Sequence, residues 1–247
     1  LGEGINDAMA LKRADIGFVV NNGSDVARQS GDVLLLEKSL NPVIAAVTMS
    51  REAFMKIRTY LLCTLTGNIG TLFSLTAVVI FWQQIPMLPI QILLNNLLTD
   101  MPLMFLITDR IAAESVKRPI RDEARKFFKI IVIFAAISSL FDFIFFFAFR
   151  GYDISVLRTG WFVFSVFSEL TLVFSLRSEL SLFKAPTLSN ILGGVILACY
   201  LIAIALPYVS VGSLFHLIPL SLVQVSILVG IVAVYMVMNE ITKKFVF

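Results

Sequence analysis

Six apolar runs, each close to the roughly 20 residues that a bilayer-spanning helix needs, constrain this chain more than any other feature. They fall at about 60–82, 86–108, 127–149, 159–177, 188–208 and 217–238. The 247 residues are 58% hydrophobic and only 15% charged, where a soluble domain carries roughly 25% charged residues. The mean hydropathy is +0.89. This pattern implies a mainly α, polytopic, integral membrane protein with six transmembrane helices and the lipid bilayer as a partner. A net charge of +3 is too small to argue for nucleic acid.

The first run is the end of something longer. Asn41-Pro42 opens a helix, with Pro at the first helical position, and no breaker follows until Pro86 apart from Gly67 and Gly70. About 40 helical residues reach roughly 60 Å, well beyond a hydrocarbon core of about 30 Å. The half carrying Arg51, Glu52, Lys56 and Arg58 is expected to stand in water as a stalk over 41–59, ahead of a membrane domain over 60–247. Basic residues collect in the 109–129 loop, at Arg110, Lys117, Arg118, Arg121, Arg125, Lys126 and Lys129, while the turns near Gln83-Gln84 and over 207–216 have none. The positive-inside rule then places both chain ends in the cytoplasm, and Lys243-Lys244 agrees. Arg150 and Arg158 run against the rule, on the predicted outside. Cys63 and Cys199 sit in apolar runs and read as buried thiols. The run Phe143 to Phe149 reads as lipid-facing packing, and His216 as a residue of the outer membrane edge.

Residues 1–40 are different in kind and read as soluble α/β. Ile16 to Val20 is a short buried strand, Asn21 to Ser24 a turn with an N-cap, Asp25 to Ser30 a short helix, and Val33 to Leu36 a second strand. That is the end of a parallel sheet whose beginning is expected upstream; Leu1 is not a start residue, and no signal peptide is visible. The opening loop is Gly2-Glu3-Gly4-Ile5-Asn6-Asp7. Gly2 and Gly4 let the backbone turn tightly and approach a ligand. Glu3, Asn6 and Asp7 offer oxygen atoms within one turn, the kind that Mg²⁺ takes beside phosphate. An acidic turn that caps a helix has the same composition, and both readings stay open on the residues alone.

Polar side chains inside spans are costly and default to functional hypotheses. The first span holds Asn68. The second holds Gln91, Asn95, Asn96, Thr99 and Asp100, with Pro102 close behind. Pro102 disfavours helix at the residue before it, and an unwound turn there would free carbonyls to coordinate a cation, as in broken-helix transporters. Oxygen-only ligands suit Mg²⁺, Ca²⁺ or Na⁺. Asn95 reads as an interhelical hydrogen bonder, and Asp100 as an ion ligand. Asp142, in the third span, is a ligand, a proton carrier or the partner of a basic residue. Glu169, in the fourth, is a ligand or a structural group.

The opening segment, Gly2-Glu3-Gly4-Ile5-Asn6-Asp7-Ala8-Met9-Ala10-Leu11-Lys12, resembles the hinge motif of P-type ATPases, Gly-Asp-Gly-x-Asn-Asp-Ala-Pro-Ala-Leu-Lys. Ala14-Asp15-Ile16-Gly17 and Ser24-Asp25-Val26-Ala27 follow at the distances that family shows. The resemblance implies a HAD-like (Rossmann-type) phosphorylation domain ending near residue 40. It also implies that Glu3 and Asp7, assisted by Asn6, help to hold Mg²⁺ beside a phosphorylated aspartate, with ATP bound mainly by upstream parts of the same pump. Glu3 stands where the motif has Asp, one methylene longer, and Met9 where it has Pro.

Asn96-x-x-Thr99-Asp100 is similar to the sixth-helix motif of calcium-type pumps, where Asn, Thr and Asp ligate the ion, and Asn68 matches their fifth-helix Asn. Where those pumps place a Glu, this chain has Thr71, which implies one transported ion per cycle. Ser138 to Phe143 with Thr159-Gly160-Trp161-Phe162 resembles bacterial magnesium-transporting P-type ATPases. The implied protein is an ATP-driven pump of a hard cation, Mg²⁺ before Ca²⁺, in a bacterial or archaeal plasma membrane. The Asp-Lys-Thr-Gly nucleophile, the nucleotide-binding and actuator parts and four earlier helices are not in these residues, so the fragment alone is expected to be inactive. A non-catalytic membrane remnant that binds an ion or a partner is the competing class.

Overall fold

A computed structural model describes residues 1–37, 39–112, 116–117 and 124–246. Two compact units emerge, Leu1–Arg51 and Glu52–Phe247.

In the first unit, β1 (Phe18–Val20) and β2 (Val33–Leu35) pair in parallel, Phe18 against Val33 and Val20 against Leu35. Parallel neighbours need a crossover, supplied here by α2 (Asp25–Ser30). Ser24 caps α2, its Oγ accepting from the Ala27 N–H at 3.3 Å. Gly2 adds a parallel bridge to Val19 on the other side of β1. A 3₁₀ turn (Ile5–Asp7) leads into α1 (Ala8–Arg13), and Leu11, Val19 and Ala27 form a small core. Both strands and α2 lie where the sequence places them, each strand trimmed by a residue or two.

The second unit is a helical bundle. α3 (Asn41–Trp82) is a single helix of 42 residues, as its lack of breakers predicts. Within it Thr59, Leu62, Cys63, Thr66, Gly67, Gly70, Ser74 and Val78 are buried, a spacing of three and four that marks one face. There follow α4 (Pro89–Met104), tightening to 3₁₀ at Phe105–Thr108, α5 (Ala124–Phe149), α6 (Ile154–Leu176), α7 (Asn190–Ala205) with a 3₁₀ turn to Tyr208, and α8 (Leu222–Val246). All six are long and apolar enough to cross a membrane. α6 is the axis, packed by α4, α5, α7 and α8 and buried on nearly every side.

Three expectations need correction. Pro102 does not unwind α4: the helix runs through it to Met104. The missing N–H costs one bond, to the carbonyl four residues back, and the helix absorbs it. The last helix is displaced from 217–238 to Leu222–Val246; Pro219 precedes it, and its end is polar. The phenylalanines after Phe143 mostly do not face lipid. Phe145, Phe146 and Phe149 are fully buried, and Phe145 stacks on Phe149 and Phe164 at 4.4 and 5.1 Å. These positions share a helix face and close over Gly160, where a Cβ would lie 3.1 Å from Phe145 and Phe149. Phe147, on the opposite face, is exposed. Both cysteines are free and buried. His216 closes the 3₁₀ turn Ser210–Phe215 with a left-handed φ of 54°. Arg118 and Arg121 of the basic loop lie outside the described residues.

Candidate functional site

Two groups of sequence-predicted residues fall in separate units. In the first unit, the opening loop is held by Asp7. Its Oδ2 accepts the N–H groups of Glu3 and Gly4, both at 2.9 Å. Those bonds, from Gly4 and then Glu3, hold the Asp7 carboxyl below its ordinary value of 3.8. The loop is tied to the fold by Gly2 N–H to the Phe18 carbonyl at 3.0 Å and Ser24 N–H to the Glu3 carbonyl at 2.8 Å. Glycine is needed at position 2 for space, since a Cβ would lie 2.6 Å from that of Asp7. Gly4 is extended (φ −99°), so no tight turn depends on its freedom. Glu3 and Asn6 are exposed. Asp7 caps its own loop with one oxygen, and Oδ1 takes neither bond.

In the bundle, Glu169 on α6 organises the polar groups. Gly67 on α3 faces it: a Cβ there would stand in ordinary contact, 3.6 Å from Glu169 Cγ. Thr71 Oγ1 and Ser165 Oγ each donate to Glu169 Oε1 at 3.3 Å. Thr99 on α4 lies beside the same carboxylate, and Asp100 is near enough for the two charges to act on each other. Thr99 Oγ1 also donates to the Asn95 carbonyl at 3.1 Å. Asn68, Asn96 and Asp100 are exposed on the described chain, whereas Thr99 is buried. The structure thus brings Thr99, Asp100 and Glu169 together and adds Thr71 and Ser165; among the described residues, neither Asn68 nor Asn96 bonds to that group. Thr71 was legible as the residue that stands where the calcium-type pattern has Glu, and Ser165 only as a polar residue in a span; neither was legible as a neighbour of Glu169.

Asp142 on α5 is near enough to Glu169 for the two charges to act on each other. It is buried, with Ser74 of α3 and Trp161 of α6 beside it. Asp142 Oδ2, Ser74 Oγ and Trp161 Nε1 are buried without a hydrogen bond among the described residues. Trp161 can only donate, so this pocket is built to hold a carboxylate rather than to complete a ring of cation ligands. The wall between the helices is thin: Ser139 Oγ donates to the Gly70 carbonyl at 3.1 Å. Asn95, buried with its Oδ1 unpartnered, does not show the interhelical bond its position suggests. Among the described residues, no three His, Cys, Asp or Glu side chains cluster as a metal site. The oxygens beside Glu169 are the hydroxyls of Thr71, Ser165 and Thr99, a donor type that suits a hard cation.

Comparison with known proteins agrees with this architecture. A family profile described as "Cation transporting ATPase, C-terminus" matches residues 84–245. The chain is 32% identical to the magnesium-transporting ATPase, P-type 1, of Escherichia coli over 99% of its length, and 31% identical to that of Salmonella typhimurium. It is 27% identical to a calcium-transporting ATPase of Bacillus subtilis over 94% of its length. It spans 28% of the length of each of these relatives. With six membrane-length helices and a family match over most of its residues, the chain belongs to the cation-transporting P-type ATPases, as a C-terminal part of such a pump.

Proposed function

We propose that the intact protein uses ATP, through an aspartyl-phosphate cycle, to move Mg²⁺ across a bacterial or archaeal plasma membrane, and that this chain supplies part of the transported ion's site. The observation that carries the proposal is the Glu169 carboxylate ringed by Thr71, Ser165 and Thr99 beside Asp100. Asn68 and Asn96, on the same two helices as Thr71 and Thr99, are the amide ligands we assign to the ion when the rest of the pump is in place. Asp142 is assigned a supporting role, its partners being donors.

The first 40 residues are the end of a HAD-like phosphorylation domain, 41–59 a stalk and 60–247 the membrane domain, with both chain ends cytoplasmic. Asp7, through Oδ1, with Glu3 and Asn6, would hold the Mg²⁺ that neutralises the phosphorylated aspartate; Gly2 and Gly4 keep the approach open for the phosphate. ATP itself would be bound mainly by upstream parts.

The test is ATPase rate in the full-length protein as free Mg²⁺ is varied at fixed Mg-ATP, with parallel titrations of Ca²⁺, Mn²⁺, Na⁺ and K⁺. Stimulation by Mg²⁺ that disappears in Asp100→Asn and Glu169→Gln supports the assignment. Stimulation by Ca²⁺ alone favours a second reading, which the Asn96-x-x-Thr99-Asp100 spacing and the Bacillus relative support. Folded protein with no activity under any ion points to a non-catalytic remnant.

A further inference from the structure

Arg150 is a cation that the positive-inside pattern does not explain, and the structure gives it surroundings. It follows α5 directly, and its guanidinium rests over the Phe147 ring, 4.1 Å from the centroid. Stacking on a ring leaves the N–H fork at the guanidinium edge available. Among the described residues no carboxylate pairs with it. Asp153, three residues on, is not part of the cavity wall. Arg158, the other cation at this end of the bundle, is committed: its Nε donates to the Ile85 carbonyl at 3.0 Å.

Beside Arg150 lies a cavity of about 440 Å³, within the size range of small-molecule sites. Trp82, Gln84, Phe147, Tyr152 and Leu157 line it with Arg150. Trp82 ends α3, and Gln83 follows with a left-handed φ of 54°, the sharp bend after which Gln84 meets the cavity. Trp82 and Tyr152 are 39% and 40% exposed, half in and half out, as aromatic side chains are at a membrane interface.

We propose that this cavity binds the headgroup of an anionic phospholipid. Three features select a lipid over a free anion. The cavity sits where three membrane-length helices end. Its wall combines apolar side chains, Phe147 and Leu157, with polar ones, Gln84, Arg150 and Tyr152. Its one unpaired cation has the planar fork that matches a phosphodiester. The phosphate sits on Arg150, the ester region meets Gln84 and Tyr152, and an acyl chain leaves along Phe147.

The experiment offers the purified full-length protein an equal mixture of phosphatidylglycerol and phosphatidylcholine, then counts retained lipid by native mass spectrometry. Wild type is expected to keep phosphatidylglycerol preferentially. Arg150→Gln should lower that retention about tenfold, the loss of a charge-assisted bidentate contact, while Arg150→Lys keeps part of it. Gln84→Glu, a surface change that adds a negative charge to the wall, should expel the lipid and carries the test if Arg150→Gln does not fold. Millimolar inorganic phosphate should leave retention unchanged. Equal phosphatidylglycerol retention in wild type, Arg150→Gln and Gln84→Glu overturns the proposal. Displacement by inorganic phosphate also overturns it, assigning the cavity to a free anion.

Discussion

Arg177 grips Asp109 with two hydrogen bonds, Nε to Oδ2 at 2.8 Å and Nη2 to Oδ1 at 3.2 Å, in a pair whose side chains are only 3% and 7% exposed. Asp109 Oδ1 also accepts the Ser189 N–H at 3.2 Å, and Arg177 Nη1 donates to the Pro186 carbonyl at 2.9 Å. The knot joins the end of α4 to the end of α6 and the start of α7. Breaking a buried pair leaves one charge uncompensated, at a cost of about 3–5 kcal/mol. Asp109→Ala and Arg177→Ala should each lower stability by that order in detergent-mediated unfolding. The double variant Asp109→Leu with Arg177→Met should lose less than either alone. Single variants as stable as the parent would mean that the pair is hydrated.

Thr71 stands where the calcium-type pattern has Glu, and here it donates to Glu169. Thr71→Val keeps the shape and removes the hydroxyl. Losing one hydrogen bond of about 1 kcal/mol should weaken apparent ion affinity roughly fivefold in the ATPase titration of the full-length protein. An unchanged ion dependence would place the ion elsewhere.

Gly70 and Gly160 lie where a neighbouring helix leaves little room for a side chain. A Cβ at Gly70 would lie 3.0 Å from Ser138 Cβ, and one at Gly160 would press on two phenylalanine rings. Gly70→Ala and Gly160→Ala should each cost about 1–3 kcal/mol through overpacking. Gly194 and Gly230 have nothing within 4 Å of a built Cβ and lie inside α7 and α8. There, Gly→Ala should be neutral or stabilise by up to about 1 kcal/mol. Thermal unfolding of the four variants checks the contrast.

Asp7 ties the opening loop only while ionised. Its folded-state value lies below 3.8 because the Gly4 and Glu3 N–H groups favour the charged form. Its contribution is therefore complete above the ordinary carboxylate range and is lost as pH falls through the depressed folded value. Amide resonances of Glu3 and Gly4, followed by NMR in an acid titration, should move with a midpoint below 3.8. In Asp7→Ala that transition should vanish. A midpoint at or above 3.8 contradicts the clamp.

The elements of this fold were legible wherever length and apolar run decide the structure. The 42-residue α3 follows from an absence of breakers, and the parallel strands from apolar triplets set between turn residues. Pairings across the bundle were not legible. Thr71 and Glu169 are 98 residues apart, and Asp109 and Arg177 are 68 apart; no periodicity announces such contacts, because helix packing sets them. Glu169 was visible as a carboxylate in a span, but its neighbours depend on how α3 and α4 lie against α6. Pro102 misled because a helix-breaking propensity was weighed without the neighbours that let a helix absorb a proline. Phe145 and Phe149 misled because Gly160, eleven or more residues away, makes the hollow that receives them.

The buried seam of α3 carries Cys63, Gly67, Gly70 and Ser74 in succession. Slide that helix by one turn, about 5.4 Å, and each small residue stands near where the next one was. Ser138 would then face Gly67 in place of Gly70, while Glu169 would exchange Gly67 for Cys63 and leave Thr71 behind. A seam of interlocking leucines would set teeth against such a shift; this one is closer to a smooth rail, with stops only where its side chains become large, at Leu62 and Val78.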